Sequence, residues 1–179
     1  RSDNTFLNVT PRVTWTLENG ETLTLQSALF AGRIGLVSHR DIDSTLGTPS
    51  PYRSVDFTLD TDTSMARTDF SWLHKLGGGA KLDLKAGANF NGRRSDSHRL
   101  ALAGGGAPVL DDLTRTASDE TGFTSIGKYT TPIVEGHSLG AGWDLGTTTR
   151  DEDRNELIGR GGAAPVATNE DYRSKVNRV

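Results

Sequence analysis

The 179-residue chain contains no cysteine and one methionine, and aromatic residues make up 7% of it. The absence of cysteine excludes a disulfide framework and thiolate metal sites. Hydrophobic residues account for 34% of the chain, whereas about 45–50% apolar residues, with glycine counted, is usual for globular proteins. The length suits one domain, but the composition provides little material for a dry core.

The chain also lacks charge of one sign and long apolar runs. Its formal net charge is −3, from 20 basic and 23 acidic residues, so nothing indicates nucleic-acid binding. The opening RSDNTFLNVT has no basic segment followed by an apolar one, and no run approaches the roughly 18 apolar residues of a membrane helix. Neither absence excludes membrane-spanning strands, whose apolar residues occupy every second position.

What the sequence does contain is alternation of period two. In the segment NVTPRVTWTLENGETLTLQSALF, the alternation is carried by apolar residues at odd positions, with polar residues at the even positions between them up to Gln26. The apolar residues are Val9, Val13, Trp15, Leu17, Leu23, Leu25 and Leu29. A three-residue loop at 18–20 preserves this parity and sets Trp15 opposite Leu23, whereas a two-residue loop would mix the faces. Gly20 then takes the left-handed position of a type I turn with a G1 bulge.

Two further segments follow the same plan. In TDFSWLHKLGGGAKLDLKAGANF, the loop GGG sets Trp72 opposite Leu84. In FTSIGKYTTPIVEGHSLGAGWDLGT, the loop VEG sets Trp143 over Gly127, an aromatic covering a bare strand position. In this last hairpin we also expect the charge pair of Lys128 with Asp144.

These hairpins cover about 5–32, 54–92 and 121–150, and the polar segments between them predict long loops. Pro11 and Pro132 fall within the strands, where a bulge or a strand end must absorb each. Strands of about 10–15 residues exceed the usual length in soluble sheets and suit a bilayer crossing. Short turns at one end and long loops at the other are typical of outer-membrane barrels.

The predicted fold is therefore all-β, an antiparallel up-and-down meander of long hairpins that forms part of a transmembrane β-barrel. Because six strands do not close such a barrel, we interpret residues 1–179 as a fragment of one barrel domain, with a seventh strand from Tyr172 to Val179. The residues expected to face lipid are Val13, Trp15, Leu17, Leu23, Leu25, Phe70, Trp72, Leu82, Leu84, Tyr129, Leu139 and Trp143.

The stretch GKYTTPIVEGHSLGAGWDLGTTTRDE resembles a barrel hairpin of TonB-dependent outer-membrane receptors, and FLNVTPRVTWTLENGETLTLQS resembles another. The resemblance covers most of the chain, but the TonB box and plug domain of that family are not in this sequence. It implies a Gram-negative outer-membrane location, contact with membrane lipid and coupling to TonB through the missing plug. It also implies uptake of a scarce ligand, such as a ferric siderophore, haem, cobalamin or a glycan, without a cofactor.

The segment GHSLG, residues 136–140, fits the G-x-S-x-G motif of serine hydrolases. A nucleophile elbow needs a helix after its serine, and the following GAGWDLGTTTR is too rich in glycine to be a good helix. We therefore expect Ser138 to lie on a strand and the protein not to be an enzyme. A soluble exported β-protein that binds a glycan or a protein partner, and a serine hydrolase, remain the alternatives.

Arginine dominates the predicted loops, and its planar fork suits anionic ligands. The candidate ligand-binding residues are Arg40, Arg53, Arg93, Arg94, Arg99, Arg150 and Arg154, with Arg115 in a similar position. No metal site is expected, because the four histidines are far apart and no aspartate run completes a calcium loop. A weak loop-bound cation remains an option at Asp41 and Asp43 or at Asp151 and Asp153.

Overall fold

The computed structural model of the protein describes residues 1–48 and 50–178. Pro49, within a predicted loop, and Val179, at the end of the predicted last strand, lie outside the described residues. The strands are β1 (Ser2–Val9), β2 (Arg12–Thr16), β3 (Thr22–Asp41), β4 (Ser54–Lys75), β5 (Lys81–Leu102), β6 (Pro108–Val134), β7 (His137–Arg160) and β8 (Val166–Arg178).

All eight strands form one antiparallel sheet, in which β3 to β8 follow one another in chain order. Strands β1 and β2 both pair with β3, as two parts of one interrupted edge. The interruption falls at Pro11, which has no N–H to donate, although its carbonyl still accepts a hydrogen bond from the Ser27 N–H at 2.9 Å. The predicted all-β, up-and-down meander is thus confirmed.

The sheet is one layer thick in the part of the chain that the structure describes. Its accessible surface is 12616 Å², whereas a compact protein of 19.2 kDa exposes about 8,400 Å². Ala80 and Ala101 are the buried apolar residues, and Glu21 and Thr61 the buried polar ones. Residues 1–48 and 50–178 therefore supply no second layer against which the leucine-rich face could pack, as a soluble sandwich would require.

No helix among the described residues is long and apolar enough to cross a membrane.

The cross-strand registers of the first two hairpins match the prediction. Trp15 pairs with Leu23, and Trp72 pairs with Leu84. The turn after β2 is closed by the Leu17 N–H, which donates to the Glu21 carbonyl at 2.9 Å. Gly20 has φ of 73° there, as the left-handed turn position requires.

The third hairpin is confirmed in register but not in its turn. Trp143 pairs with Gly127 as predicted. The register shifts between Pro132 and Val134, so that the turn has two residues instead of three. The predicted pair of Lys128 with Asp144 is wrong, because the Gly127–Trp143 register places Lys128 opposite Gly142.

The strands are longer, and the loops shorter, than the sequence predicts. Strands β3 to β7 contain 20 to 27 residues. The predicted long loop between the second and third hairpins is instead the end of β5, a turn at 103–107 and the first half of β6. The expectation failed because residues 93–99 are polar on both faces, which removes the alternation, while the backbone ladder continues regardless of side-chain type.

The packing of Trp143 on Gly127 gives a test of the register. A Cβ at Gly127 would overlap the Trp143 ring, whereas a Cβ at Gly140 on the neighbouring strand would have the Tyr129 carbonyl as its nearest neighbour, at 3.7 Å. We expect Gly127→Ala to displace Trp143 and to cost about 1–3 kcal/mol of the free energy of unfolding, measured by urea denaturation. Gly140→Ala is the matched control; equal stability of the two variants would contradict this packing.

Candidate functional site

The register assigns the side chains to two faces. We name them after the leucines and the lysines that they carry in the half of the sheet near the turns at 17–21, 76–80 and 135–136. The leucine face carries Leu23, Leu25 and Leu84. All the residues expected to face lipid share it: Val13, Trp15, Leu17, Leu23, Leu25, Phe70, Trp72, Leu82, Leu84, Tyr129, Leu139 and Trp143. The lysine face carries Arg12, Arg67, Lys75, Lys81, Lys85 and Lys128.

The apolar part of the leucine face has the height of a bilayer core. On β5 it runs from Leu82 to Gly92 without a charged residue on that face. At about 3.3 Å per residue this stretch covers roughly 33 Å along the strand, or roughly 25 Å along the bilayer normal for a strand tilted by about 40°. Lipid-facing bands of outer-membrane barrels are about 25 Å tall.

Beyond this apolar part, the leucine face becomes charged. The first charged residues on these strands are Asp62 on β4, Arg94 on β5, Asp119 on β6 and Asp151 on β7. They form an almost level row across the sheet, because Asp62 pairs with Arg94, Asp119 pairs with Asp151, and Asp119 is offset from Arg94 by one pair on the same face. We call these residues the boundary row. The strands continue past the boundary row toward the connections at 42–53, 103–107 and 161–165, and we call this part of the sheet the loop half.

On β4 the apolar side chains change faces at the boundary row. Phe70 and Trp72 lie on the leucine face, but Val55, Phe57 and Leu59 lie on the lysine face. The sequence contains this signal, because SVDFTLDTDTSMARTDFSW places apolar residues at odd positions before the aspartates and at even positions after them. The prediction included these residues in the hairpin at 54–92 but assigned the faces only from the later segment TDFSWLHKLGGGAKLDLKAGANF, and so missed the reversal.

Ion pairs occupy the leucine face of the loop half. Arg115 Nε lies 3.2 Å from Asp96 Oδ1, Arg33 Nη2 lies 3.5 Å from Asp60 Oδ1, and Arg173 pairs with Asp151. These side chains are solvated, and exposed pairs of this kind contribute little stability. Acidic residues outnumber basic ones on this face of the loop half: Asp3, Asp41, Asp56, Asp60, Asp62, Asp96, Asp111, Asp119, Asp151, Asp153 and Asp171 against Arg33, Arg94, Arg115 and Arg173.

Two aspartates in this region face each other across strands. A side-chain hydrogen bond with Asp171, assisted by burial and by the charge of Asp171, raises the pKa of Asp153 above its usual value. This is the expected response of a carboxyl group placed directly opposite another. No group of three or more acidic, histidine or cysteine side chains among residues 1–48 and 50–178 is arranged to hold a metal ion.

At the short-turn end, the leucine face ends in tryptophans and a buried carboxylate. Trp15, Trp72 and Trp143 occupy one register row, as in the aromatic girdles of membrane barrels. The Trp72 Nε1–H donates to Glu21 Oε2 at 3.2 Å, and His74 Nδ1 lies 2.6 Å from Glu21 Oε1. The Glu21 side chain is 3% exposed. The Trp72 hydrogen bond compensates part of its burial, whereas Glu21 Oε1 and His74 Nδ1 are close but do not meet hydrogen-bond geometry.

The candidate arginines are mostly in strands instead of loops. Arg40, Arg93, Arg99, Arg150 and Arg154 lie on the lysine face of the loop half. Arg94 and Arg115 lie on the leucine face. Arg53 is in the connection at 42–53, where its Nη2 lies 3.0 Å from Asp43 Oδ1.

Several of these arginines already have acidic partners. Arg150 Nη2 lies 2.7 Å from Glu152 Oε2, and Arg154 Nη2 lies 3.4 Å from Glu156 Oε2. Arg99 stands opposite Asp112 in the ladder, and Arg93 stands between Thr63 and Ser118. Arg93 and Arg99 therefore have fewer acidic residues beside them than Arg150 and Arg154, which also stand opposite Glu120 and Glu170.

Ser138 lies near the start of β7, where it pairs with Pro132. The segment after it is the continuous strand His137–Arg160, whereas a nucleophile elbow requires a helix there. His137 is its neighbour on the strand, and successive strand residues point to opposite faces. The motif GHSLG is thus part of a hairpin ladder.

Comparison with known proteins indicates a barrel-like sheet. No protein-family model and no curated protein matches the sequence. Among solved structures, the sheet is similar to that of the ferric yersiniabactin uptake receptor FyuA from Yersinia pestis, with a TM-score of 0.58 and 12% sequence identity over 98% of this chain. The chain spans 24% of the length of that receptor chain. At this identity the likeness concerns the fold alone.

The loop end of β3 and β4 holds a titratable pair. His39 Nδ1 lies 2.6 Å from Asp56 Oδ1, and its Nε2 lies 3.3 Å from Asp41 Oδ1. These hydrogen bonds, that to Asp56 foremost, raise the pKa of His39 above its ordinary value. Protonated His39 therefore contributes stability below the pKa of an unfolded histidine, about 6.5, and this contribution is lost as the pH rises through the raised pKa.

We expect Asp56→Asn to lower the pKa of His39, measured by NMR titration of the imidazole ring. Asp111→Asn is the matched control, because Asp111 contacts His98 instead, with 2.7 Å between its Oδ1 and His98 Nε2. A His39 that titrates like a free histidine in the unmutated protein would show that this pair does not form.

Proposed function

We propose that the chain is a segment of an outer-membrane receptor or transporter barrel of the TonB-dependent type, which takes up a scarce ligand. The observation that carries the proposal is the change of polarity along continuous strands, from leucines near the short turns to ion pairs beyond the boundary row. In a strand surrounded by one solvent along its length, the apolar side chains are expected to stay on one face. In a strand that leaves a bilayer, the face that contacts lipid meets water beyond the membrane, so its side chains change from apolar to polar.

The single layer supports the same proposal. A sheet without a packed core needs hydrocarbon against its apolar side chains to gain the free energy that core burial supplies elsewhere. The leucine face provides the contact with outer-membrane lipid, and the lysine face, with its lysines and acids, borders a wet interior. The similarity to the barrel of a siderophore receptor is consistent with this arrangement.

The lysine face of the loop half is then the wall that a ligand meets from outside. It combines Arg93 and Arg99 with Phe57 and Leu59. Guanidinium groups beside apolar surface suit an anionic ligand with an apolar or aromatic part. A ferric siderophore or haem has this character, and transport would be coupled to TonB through a plug domain outside this sequence.

Placement in the membrane can be tested with charges at matched positions. We expect Leu84→Arg to block assembly, because an arginine on the lipid face costs roughly 2–4 kcal/mol at the bilayer midplane. Lys85→Glu, on the lysine face, should be tolerated. Ala117→Arg should also be tolerated, because Ala117 lies on the leucine face beyond the boundary row.

The measurement is the fraction of protein that is protease-protected in outer-membrane preparations. Equal assembly of all three variants would exclude a bilayer around the leucine face.

The ligand wall can be tested with adjacent arginines that lie on opposite faces. We expect Arg93→Ala or Arg99→Ala to weaken ligand binding about tenfold or more, since a charge-assisted hydrogen bond contributes about 1.5–3 kcal/mol. Arg94→Ala, on the leucine face, should leave the affinity unchanged. The probes are ferric siderophores, haem, cobalamin and glycans, titrated against membranes that contain the protein. Equal losses at Arg93 and Arg94 would contradict the assignment.

A further inference from the structure

The leucine face of the loop half contains a groove that the proposed transport does not use. Its volume is about 460 Å³, within the range of small-ligand sites. One wall is a register row that crosses five strands, from β4 to β8. The row consists of Asp60, Asp96, Arg115, Asn155 and Asn169, each opposite the next in the ladder.

The floor of the groove is apolar. Leu113 and Leu157 face each other across β6 and β7 and are 44% and 39% exposed. Ala167 on β8 continues the floor. The leucine face is mostly charged in the loop half, so two exposed leucines are unusual there. They offer apolar surface to one side of a ligand.

The polar row has the chemistry of a saccharide site. Carboxylates accept hydrogen bonds, a guanidinium donates them, and carboxamides do both, while each sugar hydroxyl can donate and accept. Arg115 Nε lies 3.2 Å from Asp96 Oδ1, so the guanidinium and the carboxylate stand side by side in the row. The C–H face of a sugar ring would lie on Leu113 and Leu157.

The charge of this face selects a neutral saccharide over a phosphate. Asp60 and Asp96 supply two carboxylates to the groove, and Arg115 supplies one guanidinium. Hydroxyl donors bind carboxylates through charge-assisted hydrogen bonds, whereas a phosphate would meet like charge at short range. Acidic residues are also in excess over the whole leucine face of the loop half, as described above.

The height of the groove points to the source of the saccharide. From Ser64, just below the boundary row, to Asp60 the strand covers about 13 Å, or roughly 10 Å along the bilayer normal at a tilt of about 40°. The groove opens on the same face that contacts lipid below. A saccharide tethered to a lipid of the outer leaflet is held at this height at high effective concentration.

We propose that this groove binds the neutral saccharide part of a glycolipid headgroup in the surrounding membrane. The position of the groove relative to lipid rests on the proposed function, whereas its chemistry does not. The two are therefore tested by separate measurements. Insertion is followed by quenching of the fluorescence of Trp15, Trp72 and Trp143 by brominated phospholipids, and saccharide binding is followed by calorimetry.

The binding experiment uses the neutral hexose oligosaccharide of the outer core of lipopolysaccharide, free of phosphate, acidic sugars and lipid, and the protein in phospholipid nanodiscs. We expect saturable binding that the double variant Asn155→Ala/Asn169→Ala weakens about tenfold or more, through loss of two hydrogen-bonding groups. Thr116→Ala, on the lysine face of β6, is the matched control and should bind as the unmutated protein does. All variants should retain tryptophan quenching.

A second arm separates a membrane glycolipid from a soluble glycan. Nanodiscs that contain intact lipopolysaccharide should occupy the groove at a concentration at least tenfold lower than the free oligosaccharide does. Equal apparent affinities would assign the groove to a soluble glycan and overturn the proposed source. Absence of saturable binding, undiminished binding by the double variant, or stronger competition by inorganic phosphate than by the oligosaccharide would overturn the site itself. Loss of quenching in the unmutated protein would instead count against the membrane placement.

Discussion

Cross-strand register is the constraint on which this structure depends, because a sheet one layer thick has no core to hold its side chains in place. A shift of β4 by one residue would move Phe70 and Trp72 to the face that carries Lys85. The turn at Gly20 and the packing of Trp143 on Gly127 hold the register from within the hairpins. Everything inferred about lipid, ligand and saccharide depends on which residues share a face, and the register decides that.

The polarity of each face changes along the same strands. Near the short turns, apolar residues lie on the leucine face and charged residues on the lysine face, the pattern that the proposed bilayer around a wet interior would require. Beyond the boundary row, β4 reverses this order, with Val55, Phe57 and Leu59 on the lysine face and aspartates on the other. The backbone ladder is unaffected, because its hydrogen bonds are independent of which side chain meets water.

Period-two alternation predicts this fold well where one face is apolar. The registers of Trp15 with Leu23 and of Trp72 with Leu84 follow from parity and turn length alone, and the strand break at Pro11 follows from its missing N–H. The prediction failed where alternation is absent. Residues 93–99 carry polar side chains on both faces, so they resemble a loop, yet the pairing of β5 with its neighbours keeps them extended. The groove row from Asp60 to Asn169 was beyond sequence reasoning, because its members are distant in the chain and meet only through four ladders.

The length of the apolar stretch has a consequence for bilayer thickness. A stretch from Leu82 to Gly92, followed directly by ionised side chains, matches a thin hydrocarbon layer and cannot adapt by sliding, since charges begin at the boundary row and Glu21 lies at the opposite edge. Hydrophobic mismatch with a thicker membrane would pull Asp62 and Arg94 into acyl chains. Under the proposed membrane placement, a protein built on this sheet would be sorted by membrane thickness as well as by any targeting signal.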